Sequence, residues 1–475
     1  MAPSKFLIFF LSCFLLSFFV IARKELALET TDEQEHHYHT LQLSSLLPSS
    51  TCNPSTKGDK RKGSLEVVHK HGPCSKFSED VIKPLTAEEI FTNDESRVHS
   101  IRARLTFNKG KKDTQGSKVT LPAKSGEIIG SGNYFVTVGL GTPKKDLSLT
   151  FDTGSDLTWT QCQPCAGSCY SQQEPIFAPS ASTTYKNISC TSTECSGLTS
   201  ATGNTPGCSS STCVYGIQYG DRSFTVGFFA TDKLTLTSND VIDNFYFGCG
   251  QNNQGLFSGA AGLIGLGRDK LSIVSQAAKK YGKVFSYCLP STASSTGYLT
   301  FGSSGVASGV MYTPLSTSLG DSLYDLDLKY IYVGGTKLPI SPSVFSTSGM
   351  IIDSGTVITR LPPTAYSALS KEFRAQMTKY PLTNASSILD TCYDFSNYTT
   401  ITIPKISMVW SGNTKLDLVP QGIFYVNSVS QVCLAFAGNR DDSDIGILGN
   451  VQQKTIQVVY DVDAGKVGFA SGGCA

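Results

Sequence analysis

Asp152 and Asp353 stand in two copies of one local pattern. The first reads Leu149-Thr150-Phe151-Asp152-Thr153-Gly154-Ser155, and 113 residues past its aspartate comes Gly265 in Gly262-Leu263-Ile264-Gly265. The second reads Met350-Ile351-Ile352-Asp353-Ser354-Gly355-Thr356, and 96 residues past its aspartate comes Gly449 in Gly446-Ile447-Leu448-Gly449. In each copy an apolar stretch suits a buried strand, the glycine lets backbone turn or approach closely, and the hydroxyls can hydrogen-bond a carboxylate. One copy alone reads equally well as a turn at a strand end. Two copies, each followed by apolar-apolar-Gly, imply two lobes on one plan. Carboxylates brought close cannot both ionise cheaply, so they share a proton: one can act as base on a water, the other as acid on a carbonyl oxygen. That chemistry needs no nucleophilic Ser or Cys, and neither a Gly-x-Ser-x-Gly elbow nor a His-Glu-x-x-His motif occurs.

The elements that must position these loops are mainly strands. From Tyr134 the chain alternates short apolar segments with Gly and Pro, as in Tyr134 to Leu140, Leu147 to Phe151, Val214 to Tyr219 and Lys233 to Leu236. Helical pattern in this body is confined to short pieces, notably Leu271 to Tyr281 and Tyr366 to Thr378. The expected fold class is all-β and bilobal, with an N-terminal lobe over 126–305, a C-terminal lobe over 306–475 and a cleft between them. Residues 23–125 read as a polar propeptide and linker with one short helix near Thr86 to Arg104. Residues 162–213 form a Ser/Thr/Gly-rich insert that needs its cysteines to become ordered.

Only 16% of residues are charged and the formal net charge is +1, which points away from a nucleic-acid partner. Residues 1–125 hold 18 Lys+Arg against 14 Asp+Glu, and the rest 21 against 24, so a basic leader precedes a mildly acidic body. The leader is expected to lay its Lys and Arg opposite carboxylates of the cleft. Lys5, the apolar run Phe6 to Ala22 and Arg23-Lys24 have the order of a secretory signal peptide over 1–22; a signal anchor and a plastid transit peptide are the rivals. Twelve of the 15 cysteines fall between Cys162 and Cys474, and an even count in an exported body reads as disulfides. Cys162, Cys165 and Cys169 could imitate zinc ligands, but the cysteines clustered behind them favour stapled loops, so neither metal nor cofactor is expected. Asn187, Asn384 and Asn397 are glycosylation acceptors if the chain enters the secretory pathway. The expected location is secreted, extracellular or apoplastic, with the vacuole as a second destination. The expected state is a monomer without a stable membrane anchor.

At these residues the sequence resembles the pepsin-like aspartic endopeptidases over about Tyr134 to Cys474, and most the nepenthesin-type plant branch, because the cysteine-rich insert follows the first motif. The resemblance makes Asp152 and Asp353 the catalytic aspartates. It makes Thr153 and Ser354 the pair linking the two loops, and Ser155 and Thr356 the orienting hydroxyls beside Gly154 and Gly355. Trp159 would pack behind a flap, and Ile217-Gln218-Tyr219-Gly220-Asp221 resembles that flap, with Tyr219 and Gly220 over the substrate. Asp156 and Ser354 depart from many animal relatives, and Arg222 and Phe224 are unfamiliar in a flap.

The function implied is a secreted aspartic endopeptidase, made as a zymogen and acting on peptide or protein substrates at acid pH. The alternative is a catalytically inactive binding protein of the same fold, similar to the plant xylanase inhibitors. A glycoside hydrolase also works with two carboxylates, but duplicated Asp-Thr/Ser-Gly loops are not features of that chemistry.

Overall fold

A computed structural model describes residues 37–57, 61–76, 85–110, 134–219, 223–255, 257, 259–319 and 322–474, without the side chains of 103, 104 and 106–110. The expected signal peptide, the linker after residue 110, and Gly220, Asp221 and Arg222 lie outside the described residues.

The body is β-rich and bilobal, as the alternating segments imply. Strand Tyr134–Leu140 runs antiparallel to Lys145–Asp152, turning through Gly141 at φ 84°. The duplicated pattern becomes duplicated pairing. Gly262–Gly265 lies parallel to the first motif strand with Gly265 opposite Asp152, and Gly446–Leu448 lies parallel to Met350–Ile352 with Leu448 opposite Ile352. Both strands of each pair are buried on both faces, which explains their near-continuous apolar sequence. Behind them, Val284–Cys288 pairs with Gln457–Asp461, so a strand just ahead of the expected 305/306 boundary joins one near the C-terminus in a single large sheet.

The leader is more structured than its polar composition suggests. Strand Ser64–His69 lies between Thr296–Phe301 and Tyr134–Leu140 in that sheet, with Leu65 and Val67 buried and Glu66 outward. Strand Tyr38–Gln42 adds antiparallel to Thr400–Pro404 in the other half. Neither strand was expected, because five- and six-residue segments acquire their partners only from residues far away in sequence.

Helix Ala87–Gly110 extends past the expected end near Arg104. It opens with a reciprocal cap: the Glu89 N–H donates to Thr86 Oγ1 at 3.2 Å and the Thr86 N–H to Glu89 Oε2 at 2.8 Å. Its buried stripe is Phe91, Val98, Ile101 and Leu105. Phe91 packs with Val357 and Ile358, and the other three pack with Leu323, Ile351, Ile445 and Ile447. These partners flank the second aspartate loop, so burial of the stripe seats the helix across the cleft.

Among the described residues seven disulfides form, Cys52–Cys74, Cys162–Cys249, Cys165–Cys169, Cys190–Cys208, Cys195–Cys213, Cys288–Cys474 and Cys392–Cys433. The cysteines of the 162–213 insert are thus stapled as expected. Helix Thr193–Thr202 inside it, capped by Ser192 and ended by Gly203, was not anticipated. This framework belongs to an oxidising compartment and fits a secreted, extracellular or vacuolar location. Among the described residues no helix is long and apolar enough to cross a membrane.

Candidate functional site

Each aspartate sits where its strand ends, and both loops are tied together through backbone. The Thr153 N–H donates to Ser354 Oγ at 3.0 Å, and the Ser354 N–H donates to Thr153 Oγ1 at 2.9 Å. This reciprocal pair fixes the two loops against each other. Within each loop a glycine N–H turns back on the carboxylate, Gly154 to Asp152 Oδ1 at 3.0 Å and Gly355 to Asp353 Oδ1 at 3.2 Å. The Thr356 hydroxyl donates to Asp353 Oδ2 at 2.5 Å. Its counterpart differs: Ser155 lies close enough to lower Asp152, yet its buried hydroxyl makes no hydrogen bond of ordinary geometry.

The space between the carboxylates is filled by Arg97 of the leader helix, a residue the sequence reading did not single out. Its Nη2 donates to Asp152 Oδ1 at 2.6 Å and to Asp353 Oδ1 at 2.8 Å, while Nε donates to Asp353 Oδ2 at 2.8 Å. The glycines make this possible. A Cβ on Gly355 would lie 2.3 Å from the Arg97 guanidinium, and one on Gly154 would lie 2.7 Å from both Arg97 Nη2 and Asp353 Oδ1. Asp353 is raised by burial but lowered further by Arg97, Thr356 and Gly355, and ends below the ordinary carboxylate value. Asp152 is raised by burial; Arg97 opposes this, the Asp353 charge adds to it, and the net is upward. Two carboxylates clamped on a permanent cation do not present a shared proton to a water.

Leader contacts continue along the helix. Asp94 accepts from the Val357 N–H at 2.6 Å and the Ile358 N–H at 3.1 Å, and pairs with Arg360 Nη2 at 3.1 Å. Arg102 donates to Asn439 Oδ1 at 2.6 Å and lies 3.3 Å from Asp444. One signal could have exposed this interface: Asp94 falls on the same helical stripe as Phe91, Val98, Ile101 and Leu105, and a charge on a buried stripe requires a partner.

The remaining expected residues separate cleanly. Trp159 is wholly buried, and its Nε1–H donates to the Tyr219 hydroxyl at 2.9 Å, with Phe257 edge-on to both rings. Asn187, Asn384 and Asn397 are all exposed. Asp156 is buried and accepts from the Asp269 N–H at 2.8 Å, serving the loop rather than the carboxylate pair. Among the described residues no group of three or more His, Cys, Asp or Glu is placed to hold a metal.

Two β-rich halves, paired aspartate loops and a cleft between them define a pepsin-like bilobal protein. Residues 134–303 match the family model described as xylanase inhibitor N-terminal, and 323–471 match xylanase inhibitor C-terminal. The chain belongs to this family of pepsin-like proteins, related both to plant aspartic proteases and to xylanase-inhibitor-type proteins. It is 58% identical over 447 residues to an aspartyl protease family protein of Arabidopsis thaliana, covering 93% of this chain and 94% of that one. It is 52% identical over 438 residues to the aspartyl protease AED1 of the same plant, covering 92% of each, and 39% identical over 391 residues to nepenthesin-2 of Nepenthes gracilis, covering 80% and 84%. Among solved structures, edgp and the basic 7S globulin of soybean share the fold at TM-score 0.57 and 20% identity, over 71% of this chain and 91% of theirs.

These findings correct the expectation of an acid endopeptidase, and with it the hydrolase, protease and zymogen readings. Both halves match xylanase-inhibitor models, the fold is shared with the basic 7S globulin of soybean, and a guanidinium stands where the attacking water was expected. The two-aspartate pattern was read for its chemistry alone. The same pattern also serves to hold a cation.

Proposed function

We propose that this chain is a non-catalytic binding protein of the pepsin fold, holding a peptide segment in its cleft without hydrolysing it. The observation that carries this reading is Arg97 seated on Asp152 and Asp353 with three hydrogen bonds. In this reading Asp152 and Asp353 are cation acceptors, Thr153 and Ser354 fix their spacing, Gly154 and Gly355 admit the guanidinium, and Thr356 orients Asp353. Trp159 and Tyr219 brace the strand that overhangs the cleft. The stapled insert after the first motif and the identity with nepenthesin-2 support placement in the nepenthesin-type branch. The family description makes a xylanase the first partner to try.

The test uses the purified full chain. Incubated from pH 3 to 6 with a mixed peptide library, it should leave the peptides uncut while binding and inhibiting a xylanase. Statine-sensitive cleavage that disappears in Asp353→Asn would overturn the reading.

A further inference from the structure

Arg360 is 1% exposed, and its guanidinium meets Asp94 Oδ2 at 3.1 Å, Glu95 Oε2 at 3.2 Å and the Ile358 carbonyl at 3.1 Å. Both acids belong to the leader. The one partner here from the body is a carbonyl, and Arg360 Nε is buried without any hydrogen-bond partner. Beside it the Val357 and Ile358 N–H groups both point at the Asp94 carboxylate. Among the described residues the body thus offers a buried cation with no body carboxylate on it and two convergent amide donors, four and five residues past Asp353. A guanidinium left alone in such a place is costly, and a carboxylate seated on charged and amide donors is strongly held.

We infer that Val357 N–H, Ile358 N–H and Arg360 form a carboxylate-binding subsite of the cleft, which Asp94 occupies in this chain and which accepts an acidic side chain from a peptide partner. The inference rests on the binding reading only in calling the occupant a partner; the subsite itself belongs to the body. Asp94 and Arg97 lie three residues apart on one helix, so a helical segment with an acid at one position and arginine three later would fill subsite and aspartate pair together. The two oxygens of a carboxylate divide these donors, Val357 on one and Ile358 with Arg360 on the other, a spacing that a single chloride does not reproduce.

The experiment is anion rescue in the full chain. Asp94→Ala removes the carboxylate and leaves space for formate. Its thermal midpoint should rise by several degrees in formate relative to chloride at equal ionic strength, the wild-type midpoint should not, and the Asp94→Ala/Arg360→Gln double variant should lose the rescue. Equal midpoints in formate and chloride for Asp94→Ala, or equal rescue in the double variant, would overturn the subsite. Should Asp94→Ala not fold, Asp94→Asn keeps the shape and one acceptor. The Asp94→Asn/Arg360→Gln cycle should then show the two losses to be strongly non-additive, and additive losses would overturn the proposal. Peptide cleavage by the full chain would end the non-catalytic reading and leave these outcomes unchanged.

Discussion

Arg97 engages Asp353 with two donors and Asp152 with one, so the pair is held unequally by the same guanidinium. The inequality has a local cause. Asp353 also receives the Thr356 hydroxyl, whereas Ser155 gives Asp152 no hydrogen bond of ordinary geometry.

Removing the cation should therefore cost more than an ordinary surface ion pair. Arg97 is 4% exposed, and Arg97→Gln leaves two buried carboxylates facing each other without a counter-charge. Breaking a buried pair from one side costs about 3 to 5 kcal/mol. Urea denaturation at pH 7 should show a loss of that order, with faster proteolysis of the leader. Arg97→Lys should recover only part, since an ammonium cannot supply the forked contact to Asp353. A loss below about 1 kcal/mol would match a surface pair and rule out the clamp.

The pH response should have two parts, because the aspartates shift in opposite directions. Asp353 is lowered, so its grip on Arg97 is fully present above the unfolded value of about 3.9 and lost as pH falls through the lower folded value. Asp152 is raised, so the folded state takes up its proton first, which relieves repulsion with Asp353 and keeps the Asp353–Arg97 pair. Amide exchange of helix Ala87–Gly110 should stay slow into mild acid and accelerate only below the ordinary carboxylate range. In Asp353→Asn that late acceleration should be absent. Exchange that accelerates steadily from neutrality in both proteins would show the aspartates not to control docking.

What could be read from the sequence follows the range of the interactions. The duplicated plan was legible because each motif repeats with its apolar-apolar-Gly follower, so two copies checked one another, but the parallel pairing of each follower with its motif strand was not. The family resemblance singled out Trp159 and Tyr219 together, and the two side chains share a hydrogen bond. Ser64–His69 was not legible, since one of its two neighbouring strands, Thr296–Phe301, lies far along the chain. Arg97 stayed hidden among many leader cations, distinguished only by standing one turn from an acid on a buried stripe. The chemistry was misread for a related reason: a sequence shows which groups converge, but not which group already fills the space between them.

Strand Ser64–His69 carries a second pH-sensitive cluster. His69 is half-buried edge-on to Tyr134, and its Nδ1 accepts from the His71 N–H at 3.3 Å. Lys70 and Lys454 are nearby charges, each pushed down by burial to about 8. Burial, then the Lys70 charge, lowers His71 to about 4. A base depressed in the fold contributes stability that is complete above its unfolded value of about 6.5 and is lost as pH falls toward 4. Denaturation midpoints should decline over that window, and His71→Gln should flatten the decline. An equal slope in wild type and variant would remove His71 from the cause.

The Trp159–Tyr219 contact gives the most direct check on the end of strand Thr212–Gln218. Tyr219→Phe keeps the ring against Phe257 but takes away the oxygen that accepts the indole N–H at 2.9 Å. Trp159 is 0% and Tyr219 2% exposed, so water is not at hand to replace it. Leaving a buried donor unsatisfied costs about 1 to 3 kcal/mol, and the fold should lose stability by that amount. Only Trp159 and Trp410 are present, and Trp410 lies elsewhere, packed on Phe469, so a change in tryptophan emission on this substitution reports Trp159. Loss of the hydrogen bond in a dry site should move emission to the blue, whereas a strand that opens to water would move it to the red. A blue shift with reduced stability is the expected pair of results. Unchanged stability would mean that the indole N–H was never dependent on Tyr219, and that strand Thr212–Gln218 is held by its ladder alone.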